Sequence, residues 1–192
     1  MKKGLLFFGL AIILIAVYFL FFYEKKEKAR GNKLEALKIS KNSESFNQQF
    51  NAALQQYYAL SNTLVNWDSL QANQAAENLK PLITKVPYDS LQADSLLIAT
   101  AKNFAENVAS ESEALVKASN IEEKRKHFYT ISDFLYSLIR TVKYDGEVIY
   151  HMKCPMAFHD SETAYWLSNT REIINPYLGN NHPKYHSGML HC

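Results

Sequence analysis

The chain has 192 residues, with 21 Lys and Arg against 19 Asp and Glu, for a formal net charge of +2. A balance this even, with the two signs interleaved, excludes the basic footprint of a nucleic-acid binder. Six glycines and five prolines are few for this length and favour long helices over a sandwich or a barrel.

Met1, Lys2 and Lys3 precede an uncharged, mostly apolar run over residues 4–23. As a helix it spans roughly 30 Å, about one bilayer core. It is bulky and aromatic at its end and has no Ala-x-Ala cleavage pattern, so an uncleaved transmembrane helix is favoured over a signal peptide. Lys2 and Lys3 argue for a cytoplasmic N-terminus, while Lys25, Lys26, Lys28, Arg30 and Lys33 argue the other way. The predicted organisation is an anchor over 1–23, a polar tether over 24–44, a helical bundle over 45–144 and a C-terminal segment over 145–192.

Four stretches have helical apolar spacing, each after a capping-box pattern. Ser45 with Gln48 opens the first, which carries Phe46, Phe50, Leu54, Tyr57, Tyr58, Leu64 and Val65. Asp68 with Gln71 opens the second, where Pro81 tightens or kinks the last turns. Asp89 with Gln92 opens the third, with Leu91, Leu96, Leu97, Phe104 and Val108. Asn120 with Glu123 opens the fourth, with Ile121, Phe128, Ile131, Leu135 and Leu138, and Gly146 stops it. Short connections make successive helices antiparallel neighbours. The expected fold is all-α, an up-and-down four-helix bundle whose apolar stripes share one core.

The last forty-two residues concentrate soft and borderline metal ligands. They hold both cysteines (Cys154, Cys192), three of four methionines (Met152, Met156, Met189) and five of six histidines (His151, His159, His182, His186, His191). Residues 147–152 read as extended and 169–174 as a short helix; Asn175-Pro176-Tyr177 with Gly179 reads as a turn. The segment as a whole reads as irregular. Thiolate and thioether sulfur favour Cu(I), and imidazole suits copper and zinc.

The run Cys154-Pro155-Met156-Ala157, then Ala164-Tyr165-Trp166-Leu167-Ser168, Glu172-Ile173, Asn175-Pro176-Tyr177, Gly179, Met189-Leu190 and Cys192, resembles the DUF3347 family. Upstream, Ile121-Glu122, Arg125, Phe128 and Ser132 resemble that family's final bundle helix. The resemblance covers roughly residues 46–192 and is carried mainly by residues from Ile121 on. It implies a bacterial envelope domain, periplasmic, also found attached to heavy-metal efflux adaptors, with copper the usual cargo. The family's Cys and Met positions carry over to Cys154, Met156, Met189 and Cys192. The family's last cysteine is typically followed by Gly and an acidic residue, whereas here Cys192 is the last residue. The connection over 180–188 is also longer than the family pattern, and His182 and His186 read as exposed loop residues.

Two readings of the sulfurs stand side by side. One is a Cu(I) site of Cys154, Met156, Met189 and Cys192, with His151, His159 or His191 completing or replacing a ligand. The other is a structural Cys154–Cys192 disulfide, with the methionines as core filler and the domain serving as an envelope interaction module. Zinc is disfavoured, since no Cys-x-x-Cys pair is present. An enzyme is not expected: the chain has no nucleophile motif, no phosphate-cradling Gly-rich loop and no His-Glu-x-x-His.

Overall fold

Four helices and one β-hairpin make up the protein in the computed structural model, which describes Tyr18 and residues 42–185. The helices are α1 (Glu44–Val65), α2 (Ser69–Thr84), α3 (Ser95–Lys117) and α4 (Ile121–Thr141); the strands are β1 (Tyr150–Phe158) and β2 (Glu162–Ser168). The chain divides into units Met1–Ile39 and Ser40–Cys192, and every element named here belongs to the second. The expected transmembrane helix falls outside the described residues. Among the described residues no helix is long and apolar enough to cross a membrane.

Two of the four expected helix starts hold to the residue. Asp68 Oδ1 accepts from the Gln71 N–H at 2.9 Å, and Asn120 Oδ1 from the Glu123 N–H at 2.9 Å. Glu123 reaches back to the N–H and hydroxyl of Ser119, each at 3.0 Å. The first start lies two residues earlier than expected. Ser43, not Ser45, caps α1 by accepting from the Phe46 N–H, which puts Glu44 in the first turn where the helix dipole favours it. The third start moves further, to Asp94, which accepts from the Leu97 N–H. Around Asp89 the chain makes a single 3₁₀ turn, because Tyr88 and Leu91 must both turn into the core between α2 and α3. The buried Tyr88 hydroxyl donates to the Ile83 carbonyl at 2.9 Å.

Two helices end in the Schellman pattern, each with a non-glycine residue in the left-handed region. After α1, Trp67 sits at φ 59°, with its N–H on the Leu64 carbonyl and that of Asp68 on Thr63. After α4, Lys143 sits at φ 51°, with its N–H on Arg140 and that of Tyr144 on Ile139. The expected glycine stop at Gly146 therefore lies past the true one. At the end of α3 the last carbonyls are met by a side chain. Lys124, 3% exposed, donates from Nζ to the carbonyls of Leu115 and Ala118 and to Asn73 Oδ1, at 2.7–2.9 Å. A cation at a helix C-terminus also complements the dipole.

Successive helices pack on one another, and β2 packs on α4. Large rings bridge α1 and α4: Tyr57 stacks on Phe128 with centroids 5.1 Å apart. The hairpin and the 177–178 segment share one hydrophobic core with the helices.

The expectation of an irregular C-terminal segment is corrected by that hairpin. Residues 150–154 alternate exposed with buried or half-buried, as a strand with one covered face must. β1 and β2 pair antiparallel, from Tyr150 with Ser168 through Cys154 with Ala164, and again at Phe158 with Glu162. The register shifts between Cys154 and Phe158, where Pro155 has no N–H for the ladder. His159 (φ 50°) and Asp160 (φ 58°) make the turn, and His and Asp are among the residues that tolerate this conformation best. The fold is thus predominantly helical with a small sheet, not all-α. The helix expected over 169–174 is absent; there Ser168 turns the chain, its hydroxyl bonded to both the N–H and the carbonyl of Thr170. The turn at 175–179 is as expected. Asn175 Oδ1 accepts from the Tyr177 N–H and its carbonyl from the Gly179 N–H, each at 2.9 Å.

Candidate functional site

The C-terminal end of α1, the first turns of α4, the hairpin turn and the 177–183 segment enclose a cavity of about 250 Å³. Met156 and His159, two of the expected ligands, both line it, and so does His182. Cys154 precedes Met156 by two positions on β1, where the register shift begins. Cys154 lies deeper, fully buried in the core opposite Ala164, and does not line the cavity.

His151 is not brought to this place. It points to the other face of β1 and is stacked between Tyr136 and Tyr165, with centroids 4.1 and 5.0 Å away. Burial holds its pKa below the ordinary value, with Asp133 opposing. Met189, His191 and Cys192 lie outside the described residues. Among the described residues, no group of three or more His, Cys, Asp or Glu is arranged to hold a metal ion.

Three groups at the cavity were not singled out from the sequence as site residues. The first is Arg125, 3% exposed, whose Nε donates to the Pro176 carbonyl at 2.8 Å and whose Nη2 donates to the Leu64 carbonyl at 3.0 Å. The second is Trp67, whose ring centroid lies 4.3 Å from the guanidinium carbon and whose indole N–H donates to the Leu178 carbonyl at 3.0 Å. The third is His182. It is half-buried rather than exposed, stacks on Tyr185, and accepts at Nδ1 from the N–H groups of Lys184 and Tyr185. Burial, and then the Arg125 charge, push its pKa down.

One of these was readable in part. Arg125 falls four residues after Ile121 and three before Phe128, on the line of apolar positions that α4 turns to the core. A charge on that line marks either an error of phase or a buried cation. Trp67 gave no such signal, since its partners are Arg125 and Leu178, far along the chain.

The hairpin turn is fastened to the segment beyond it. Asp160 accepts from Lys184 Nζ at 2.8 Å and from the Tyr185 hydroxyl at 3.0 Å. These two bonds hold its carboxyl below the usual carboxylate range. The hairpin turn beside His159 is therefore tied to the segment beside His182.

A family model described as a protein of unknown function, DUF3347, matches residues 53–146. The matched stretch runs from within α1 to just beyond α4. It takes in Trp67 and Arg125 and stops before the hairpin, whereas the resemblance read from the sequence leaned on the segment after it. No curated protein and no solved structure gives a significant match.

Proposed function

Taking as premise that the chain belongs to the DUF3347 family, we propose that it is a membrane-anchored, periplasmic heavy-metal-binding protein acting in metal homeostasis or efflux. Cu(I) is the first candidate cargo and zinc the second. In this reading residues 4–23 form the anchor, the four helices run up and down, and an efflux adaptor or exporter is the partner. The domain binds and does not catalyse.

The observation that carries the reading is the meeting of Met156 and His159 on one cavity, with Cys154 two positions before Met156 in β1. A thioether, an imidazole and a thiol are a donor set for a soft monovalent ion. The described donors alone do not complete a site, so Met189, His191 and Cys192 are assigned as its remaining ligands. Charge favours copper over zinc. Arg125 puts a buried positive charge beside the cavity. That charge works against a divalent ion but suits Cu(I) held by two thiolates, a complex with one net negative charge.

An anaerobic Cu(I) competition titration of the fully reduced chain tests this. Tight one-to-one binding is expected, lost in the Cys154→Ser/Cys192→Ser double variant and weakened in Met156→Ala and His159→Ala. The burial of Cys154 favours one other reading, a structural disulfide in an interaction module. No Cu(I) binding, together with a domain that unfolds more readily when reduced, establishes that reading instead.

A further inference from the structure

Beside the donors of the metal reading, the cavity holds a buried cation, Arg125. Both hydrogen bonds of Arg125 to the protein end on neutral carbonyls, those of Leu64 and Pro176. Among the described residues no carboxylate lies within ion-pair distance of it. Among the described residues none accepts a hydrogen bond from its Nη1, and the residue lines the cavity. Burial lowers its pKa to about 10, which leaves it charged at neutral pH. A buried cation is costly unless an anion or several hydrogen bonds meet it. Here two of its five N–H groups are met.

The surroundings complete the description of an anion receptor. His182 accepts at Nδ1 from two backbone N–H groups, so the neutral ring carries its proton on Nε2 and is a donor there. Lys126 lines the same cavity. Two carboxylates line it as well. Asp160 is engaged by Lys184 and Tyr185, while Glu122 acts on Arg125 through space without bonding it. Trp67, Phe158 and Leu178 supply apolar wall.

We infer that this cavity is an oxyanion site. It takes the carboxylate or phosphate group of a small molecule on the free edge of Arg125, with the Nε2–H of His182 and Lys126 assisting and the rest of the ligand against Trp67 and Leu178. Guanidinium is suited to this because its planar fork matches both oxyanions. The volume admits a small organic acid or a phosphate. The proposal is independent of metal binding.

The test is a titration of the ¹⁵N-labelled full chain, metal-free in the presence of a chelator, with benzoate and separately with inorganic phosphate. The readouts are the Trp67 indole and Arg125 Nε–H cross-peaks, the Trp67 peak being identified by its loss in Trp67→Phe. Saturable shifts of both peaks are expected with at least one probe. Benzoate alone marks a carboxylate site, phosphate alone a phosphate site, and both a general oxyanion site. Arg125→Ala removes the donors of two buried carbonyls and can unfold the protein, so His182→Ala and Lys126→Ala are the working variants. Each is expected to weaken binding by roughly threefold to tenfold. Lys102→Ala, on α3 and outside the cavity lining, should leave it unchanged. Absence of saturable shifts with both probes, or unaltered affinity in both working variants, overturns the proposal whatever the chain does with copper.

Discussion

Replacing Gly179 by alanine should be among the most damaging single-atom additions to this chain. Gly179 sits at φ 63°, where an added Cβ costs about 1–2 kcal/mol in backbone strain. That Cβ would also stand 2.5 Å from the Val65 carbonyl oxygen and 2.7 Å from Trp67 Nε1. Neither neighbour can yield freely. The Val65 carbonyl belongs to the last turn of α1 and accepts from the Asn180 N–H at 2.8 Å, while Trp67 Nε1 donates to Leu178. Relieving the clash breaks or stretches at least one of these bonds, at about 1 kcal/mol each. The sum is about 3 kcal/mol, or roughly 10 °C in Tm for a chain of this size. Urea unfolding followed by far-UV circular dichroism measures it. Leu70→Ala, at an exposed position of α2, is the control, and a loss below about 1 kcal/mol is expected. A Gly179→Ala loss below about 0.5 kcal/mol, or one equal to the control, would refute the seating of the 175–180 loop on α1.

Two further outcomes follow from buried polar groups. Tyr57→Phe removes the hydroxyl that sits 2.7 Å from Ser132 Oγ and accepts from the buried Leu167 N–H at 3.0 Å; orphaning that N–H should cost about 1–3 kcal/mol in the same unfolding assay. His151 and His182 should both titrate below 6.5 by NMR, since burial lowers each. The unfolded chain then takes up these protons first, so their contribution to stability is whole above about pH 6.5 and is lost as pH falls through the folded-state values. Either histidine titrating above 6.5 would contradict the packing described for it.

What could be read in advance followed how local each cause was. Asp68 and Asn120 were legible because a cap depends on one side chain and an N–H three residues on. Ser43 was missed in favour of Ser45 because both are serines facing the same short run, and only the placement of Glu44 in the first turn separates them. Asp89 failed because Tyr88 and Leu91 are needed by the core, a demand made by α2 and α3 together. The hairpin was half visible: the extended reading of 147–152 stopped where β1 goes on through Cys154-Pro155-Met156, since a proline and a register shift hide the strand. The cavity needed contacts across very long separations, such as Trp67 with Leu178, 111 positions apart. Met156 and His159 were foreseen as candidates by residue type, but their common wall with Arg125 was not.

The two tyrosines against the hairpin have a consequence for how the molecule behaves in a crowd. β2 pairs with β1 along one side only, so its outward-facing N–H and carbonyl groups form an open template for another strand. Tyr57 occupies that template at the Leu167 N–H, and the Tyr177 hydroxyl occupies it at the Tyr165 carbonyl. Two phenol groups thus stand where a third strand would pair. On the opposite side, β1 carries exposed His151 and Lys153 and has Pro155 in place of one ladder N–H. A two-stranded sheet on a helical protein is thereby kept from growing by self-association, and one blocking side chain, Tyr57, is the same residue that joins α1 to α4.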